Sequence, residues 1–331
     1  MKCLVLDFGG TFLKYSVMDH ELKVYDKGEK PSPNASVEQF VASIKELYEK
    51  YKEDIEGIAI SMPGFLDVET GYAKTAGAFF PLYQHNIYDL LKDQCSVPVT
   101  IENDGKCGAL AETWVGNLKN CNDGVAVILG TGVAGGIIKN HRVHRGSSFA
   151  AGEFSYMIMQ DGLGLGNSVT FSCGVASLMI KACVAKGIDV KRLSSYALFG
   201  NFMNISQELS KEDQKPEYAN GMDGQQFFEL LENGDEAIKE LYEEYLSNVA
   251  KLLFNIQAFY DPEKIVIGGG ISRQKRLITD LQSKVNEIIA GFHGLYAVPC
   301  NLDACKFLSE ANQYGALYNF LIHKAPELIE F

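Results

Sequence analysis

A strand, a glycine- and threonine-bearing turn and a returning strand occur twice in this chain. Lys2–Phe8, the turn Gly9-Gly10-Thr11 and residues 12–18 make the first copy. Residues 125–129, the turn Gly130-Thr131-Gly132 and Val133–Lys139 make the second, about 120 residues further on. Repetition at that spacing predicts a duplicated domain, and the segments between the copies say of what kind. After the polar break Asp19-His20-Glu21, residues 22–27 read as a third strand. Ser36 reads as a helix N-cap with Gln39 at the capping-box position, followed by Phe40, Val41, Ile44, Leu47 and Tyr48 at helical spacing. Gly57–Met62 is a strand ending in Pro63-Gly64, 87–92 a short helix and 97–101 another strand. Glu102-Asn103-Asp104 then leads into a helix running to Val115. Strands alternating with helices in this way predict α/β layers with a largely parallel component.

Beyond the second copy lie a glycine-rich loop (161–167), a helix (169–185), a polar loop (207–221) and the longest helix (235–260), stopped by Asp261-Pro262. A strand over 264–267 runs into Gly268-Gly269-Gly270, followed by a helix from Ser272 and a last helix over about 310–323. The chain has 331 residues, enough for two domains at ~150 residues each. The boundary is expected within 116–124: an N-terminal α/β lobe of 1–117, with a terminal helix in 308–331 packing back on it, and a larger α/β lobe of 118–307.

Charge narrows the function. Asp and Glu number 42 against 30 Lys and Arg, a net charge of −12, which argues against the basic face a nucleic-acid binder needs. No run approaches the ~18 apolar residues of a membrane span, and the residues before Asp7 are too few for a signal peptide. A cytoplasmic protein with neither a membrane nor a nucleic-acid partner is expected. The eight cysteines form no C-x-x-C pair and are expected to be reduced and buried. His141 and His144 would fall on opposite faces of a strand, a poor arrangement for a metal.

Three glycine-rich turns each follow an apolar strand: Asp7-Phe8-Gly9-Gly10-Thr11, Gly130-Thr131-Gly132 and Gly268-Gly269-Gly270. Glycine there lets the backbone approach an anion and aim its N–H groups at it. Any one of them could be a plain turn. Three in this order, the first opening with an acid, point to phosphate binding. The second also matches G-x-G-x-x-G through Gly135. A dinucleotide site needs a helix next, whereas Gly135-Gly136-Ile137-Ile138 favours a strand, and only Glu153 stands as a loose ribose-binding acid. Glu102-Asn103-Asp104 reads either as a helix cap or as a carboxylate at a strand's carboxyl edge, where α/β proteins place ligands.

The ordered set resembles the ROK family of bacterial sugar kinases and their repressor relatives, within the actin, hexokinase and heat-shock chaperone superfamily. The matching pieces are Asp7-Phe8-Gly9-Gly10-Thr11 with Lys14, Ser61-Met62-Pro63-Gly64, Glu102-Asn103-Asp104, 129–138, Gly152-Glu153 and 267–271, spread from residue 2 to about 320. The resemblance implies a two-lobed, duplicated actin-like ATPase (ribonuclease H-like) fold with its active-site cleft between the lobes. It also implies ATP and Mg²⁺ as cofactors, a small sugar as substrate and a homodimer. Carried over, Asp104 is the catalytic base and a sugar ligand, and Pro63, Gly64, Asn103, Glu153 and Tyr156 contact the sugar. Asp7 organises magnesium through water. With Asp7, the residues Gly9, Gly10, Thr11, Lys14, Gly130, Thr131, Gly132, Gly268, Gly269 and Gly270 line the nucleotide. The expected reaction is phosphorylation of a hexose, at the 6-hydroxyl.

The chain departs from the family at its zinc motif. Where E-x-G-H is common, it reads Glu153-Phe154-Ser155-Tyr156, and where C-x-C-G-x-x-G-C-x-E is common it keeps one cysteine, Cys173, and ends in Ile180. One sulfur cannot make a four-ligand site, so no bound zinc is expected. Losing a histidine and a glutamate near C1 and C2 of the sugar predicts tolerance of a substituent there, as in a β-glucoside or an N-acyl hexosamine, with plain glucose the competing expectation. The first strand starts at Lys2, which leaves no room for a repressor's helix-turn-helix. Two other activities compete: a sugar sensor without catalysis and an NAD(P)-dependent oxidoreductase. The retained Asp104, Asp7 and glycine turns weigh against the first, and the strand after Gly132 weighs against the second.

Overall fold

In a computed structural model of the chain, the structure describes residues 1–188, 221–307 and 310–329. The predicted loop at 207–220 lies outside them.

The strands are β1 (Lys2–Phe8), β2 (Phe12–Asp19), β3 (Val24–Pro31), β4 (Gly57–Met62), a small hairpin of β5 (Leu66–Asp67) and β6 (Tyr72–Ala73), and β7 (Val99–Asn103). Later in the chain come β8 (Asp123–Leu129), β9 (Val133–Lys139), β10 (Arg142–His144), β11 (Lys264–Gly268) and β12 (Leu302–Ala304). One five-stranded sheet runs β3-β2-β1-β4-β7 and the other β10-β9-β8-β11-β12. Numbered from its own first strand, each runs third, second, first, fourth, fifth. The duplication read from the two strand–turn–strand copies is thus a duplication of sheet topology.

The helices are α1 (Val37–Tyr51), α2 (Ile87–Leu91), α3 (Asp104–Val115), α4 (Val169–Cys173), α5 (Val175–Ala185), α6 (Gly224–Glu232), α7 (Glu236–Tyr260), α8 (Lys275–Ala290) and α9 (Ala311–Lys324). Ser36 caps α1 by accepting from the Gln39 N–H, while the Gln39 side chain reaches back to the Ala35 N–H and not to that of Ser36. The third strand begins later than expected because Leu22 takes a φ of 65°. The single helix expected over 169–185 breaks at Gly174, and the helix expected from Ser272 begins as a 3-10 turn over Gly270–Arg273. His141 sits in the turn before β10 with φ 58°, so the two histidines do not share a strand. No helix among the described residues is long and apolar enough to cross a membrane.

The chain divides into two compact units. The first comprises Met1–Ala126, Gly135–Gly152 and Cys305–Phe331, and the second Val127–Ala134 and Glu153–Ala304. This division falls inside β8 rather than at 117, because β10 packs on α3 and takes 135–152 into the first unit. The first unit's core forms where α1 lays Phe40, Ile44 and Leu47 on the sheet, with the rings of Phe8, Phe40 and Phe79 in mutual contact. Burying one such side chain contributes about 1.5–3 kcal/mol. Helix α9 packs closely on α3: a Cβ at Gly315 would stand 1.8 Å from the Cys107 carbonyl, so only glycine permits the approach. In the second unit α7 packs on α4, α5, α6 and α8 through a buried stripe including Tyr242, Tyr245, Val249 and Leu253.

Candidate active site

In the first unit the carboxyl ends of three parallel strands carry the polar residues. Asp7 on β1 pairs in register with Ser61 on β4, and Ser61 with Glu102 on β7. All three are buried. The Asp7 Oδ1 accepts from Ser61 Oγ at 3.0 Å and from Asn312 Nδ2 at 3.1 Å. Burial pushes the Asp7 carboxyl above its ordinary range. Those two hydrogen bonds oppose the rise, the nearby charge of Asp104 adds to it, and Lys14 opposes it.

Asp104 opens α3. Its Oδ1 accepts from the Gly105 N–H at 2.8 Å, and the side chain is surrounded by protein while keeping some solvent contact. Burial raises its carboxyl above the ordinary aspartate value, against the opposing pull of the Gly105 N–H and of Lys106. The cap of α3 is its neighbour: Asn103 Oδ1 accepts from the Lys106 N–H at 3.1 Å. Asn103 Nδ2 donates to the Gly64 carbonyl at 3.1 Å, joining the Pro63-Gly64 turn to the strand end. Asn103 is therefore the cap, and Asp104 stands as an acid at a strand's carboxyl edge. Two carboxylates, Asp7 and Asp104, lie within electrostatic reach of each other in one unit. Oxygen donors of this kind suit a hard divalent cation. Both hydrogen bonds to Asp7 land on Oδ1, which leaves Oδ2 for a water on such a cation. Among the described residues no three of His, Cys, Asp and Glu gather as a metal-holding group, so magnesium would need further ligands from phosphate and water.

The turn after β1 is held from one side. Ser32 donates through its N–H and hydroxyl to the Thr11 and Gly9 carbonyls, and Asn34 Nδ2 donates to the Gly10 carbonyl. With the carbonyls so engaged, the exposed Gly10 and Thr11 amides have no protein acceptor among the described residues. Lys14 follows on β2 as the register partner of Asp7.

The second unit joins the other two glycine turns. A cavity of about 680 Å³ is lined by Gly130 and Thr131 from one and Gly270 from the other, with Val175, Met179 and Phe228 on its apolar side and Arg273 at its polar side. The Val175 N–H donates to the Gly130 carbonyl at 2.8 Å, seating the start of α5 on the turn. Gly132 packs near Ser155, whose hydroxyl bonds both the N–H and the carbonyl of Val133. Gly268 ends β11, and Gly269 has φ +93° with the Leu129 carbonyl 2.0 Å from where a Cβ would stand, so the turn requires glycine. Glu153 precedes and Tyr156 ends a short 3-10 turn (Phe154–Tyr156) in this unit, Glu153 partly buried and Tyr156 62% exposed. Cys173, Ile180 and Phe171 are buried, and burial pushes the Cys173 thiol up to about 12.

Sequence reasoning missed Asn312, Arg145, Phe228 and Arg273. The box in which Asp223 and Gln226 cap each other marks the start of α6 and would have located Phe228.

The ROK family model matches residues 3–323. A β-glucoside kinase of Listeria innocua is 28% identical over 97% of this chain and 98% of its own length. An N-acetyl-D-glucosamine kinase of Citrobacter koseri is 29% identical over 84% of this chain and 87% of its own. The crystal structure of a ROK family protein from Streptococcus pneumoniae in complex with sucrose superposes with a TM-score of 0.82 at 25% identity, covering 98% of this chain and all of that one.

Proposed function

The chain belongs to the ROK family, and on that premise we propose that it is an ATP-dependent sugar kinase that phosphorylates the 6-hydroxyl of a hexose, with a glucose substituted at C1 as its substrate class. The observation that carries this reading is the Asp104 carboxylate at the carboxyl edge of β7, partly accessible and close to Asp7. Asp104 orients the attacking hydroxyl and takes its proton as the bond to phosphorus forms. Phosphoryl transfer through a loose transition state asks for positioning and charge neutralisation more than for a strong base, so an aspartate suffices. Asn103, whose side chain bonds the Gly64 carbonyl and the Asp104 carboxyl, stands beside the base and faces a sugar hydroxyl. Glu153 and Tyr156 supply further sugar contacts.

The adenosine lies in the cavity of the second unit among Val175, Met179 and Phe228. The Gly130–Gly132 and Gly268–Gly270 turns and Arg273 face its phosphates, and the Gly10 and Thr11 amides serve the transferred group. Asp7, steadied by Ser61 and Asn312, holds magnesium through water. When bound, that ion offsets the phosphates' negative charge. No zinc is assigned. Cys173 is the one cysteine kept from the family's motif, and stoichiometric zinc in the purified protein would overturn that assignment.

The substituted-glucose class rests on two supports. The Listeria relative is named a β-glucoside kinase, and the fully buried Ile180 offers no carboxylate to bind a free hydroxyl near C1 or C2. The test is ATP consumption with glucose, N-acetylmannosamine and cellobiose. Cellobiose should be turned over with the highest kcat/KM; equal inertness toward all three would reject the kinase reading.

A further inference from the structure

We infer that Arg145 is a positioning residue for the strand end that carries Asn103 and Asp104, acting through the buried carboxylate of Glu102. The inference rests on the kinase reading of Asp104, but the observations that carry it are separate.

Glu102 is 1% exposed, in a setting where a carboxylate is tolerated only when it is paired and fully hydrogen-bonded. Arg145 supplies both Nε, at 2.9 Å, and Nη2, at 2.6 Å, to Glu102 Oε2. The remaining oxygen, Oε1, accepts from the Asn103 N–H at 2.8 Å. Arg145 Nη2 also donates to Asn319 Oδ1 at 3.0 Å, and Asn319 Nδ2 donates to the Ile101 carbonyl at 3.2 Å. The backbone groups on either side of Glu102, the Ile101 carbonyl and the Asn103 N–H, are therefore both held by one side-chain network centred on the guanidinium. β7 is the outer strand of its sheet, paired with β4 as far as Asn103, and the side-chain network holds the strand end in addition to that pairing. The network reinforces the ladder next to the residue pair that must present a hydroxyl-binding edge.

Arg145 is also anchored itself. Its carbonyl accepts from the Ala151 N–H at 3.0 Å, closing the loop that leads on to Gly152 and Glu153. A lysine could supply the charge but not the forked two-point grip. In the absence of Arg145 the buried Glu102 loses its ion-pair partner among the described residues, and the most direct relief is for the strand end to shift toward solvent, taking Asn103 and Asp104 with it. A displacement of about 1 Å at a reacting group is enough to lower turnover roughly a hundredfold.

The test compares wild type, R145M, R145K, E102Q and E102Q/R145M on whichever of glucose, N-acetylmannosamine or cellobiose the wild type phosphorylates, with KM for ATP and the melting curve recorded for each. R145M should lower kcat/KM for the sugar by about two orders of magnitude while KM for ATP stays within about twofold. E102Q/R145M should recover at least about tenfold of that loss, because the unpaired charge has gone although the arginine has not returned. R145K should fall between R145M and wild type. Three results would overturn the assignment: folded R145M with sugar kcat/KM within about threefold of wild type, sugar and ATP parameters falling together, or a double variant no better than R145M. Should R145M not fold, R145K decides alone: a loss of about tenfold or more supports the role and a smaller one rejects it. Failure of both to fold makes Arg145 a stability residue and rejects it too. A wild type inert on all three sugars is instead the failure of the kinase reading, so the two cannot be confused.

Discussion

Asn312 and Asp7, 305 residues apart in sequence, meet through a hydrogen bond of 3.1 Å from amide to carboxylate. The last described α-helix thus returns to the first strand and steadies the acid assigned to magnesium. Asp7→Asn should raise the Mg²⁺ concentration for half-maximal activity by about 10- to 100-fold, the usual cost of disturbing a group that orients metal ligands. Asn312→Ala should shift it the same way by less. A magnesium titration curve that does not move in Asp7→Asn would remove Asp7 from the metal site.

Burial holds the carboxyl of Asp104 above the ordinary aspartate range, with Asp7 likewise raised. For each, the folded chain keeps the proton more tightly than the unfolded chain does. The stability this confers is complete below the unfolded pKa and is lost as the pH rises through the folded one. At pH 7, above the ordinary carboxylate range, burial of these two carboxyls therefore weakens the fold relative to acid pH. Asp104→Asn should melt a few degrees higher than wild type at neutral pH, and the advantage should shrink as the pH is lowered toward about 4. Thermal melts at several pH values would show it; an Asp104→Asn variant less stable than wild type at pH 7 would contradict it.

Two adjacent glycines separate fold from ligand. Gly269 has a positive φ and no room for a methyl group, so Gly269→Ala should cost more than about 2 kcal/mol of stability. At Gly270 nothing stands within 4 Å of an added Cβ. Gly270→Ala should melt like wild type yet raise KM for ATP about tenfold, because the methyl would meet the nucleotide alone. An unchanged KM would place the nucleotide away from this turn.

Much of this molecule was legible because its sequence features are local. The two strand–turn–strand copies announced the two equivalent sheets, Ser36 marked a helix start by capping, and Asp261 with the following proline marked a helix end. The glycine turns followed from strands ending in glycine. What stayed hidden depends on distance along the chain. Nothing near Asn312 in sequence says that it will meet Asp7, and Arg145 reads as an ordinary loop cation until Glu102, 43 residues away, is found beside it. The break at Gly174 was hidden for a similar reason: the α4–α5 junction is shaped by the Gly130 carbonyl, which takes the Val175 N–H from across the second unit. The division inside β8 was not legible because 135–152 looks like a continuation of the second copy and groups with the first unit.

The most direct test of the central claim is the turnover of Asp104→Asn with saturating ATP and sugar, measured beside sugar affinity by calorimetry. A base that accepts the hydroxyl proton is worth about 10²–10⁴-fold, so kcat should fall by that factor while the sugar dissociation constant changes by less than about threefold. A kcat within about threefold of wild type would show that the proton leaves by another route and that Asp104 is not the base.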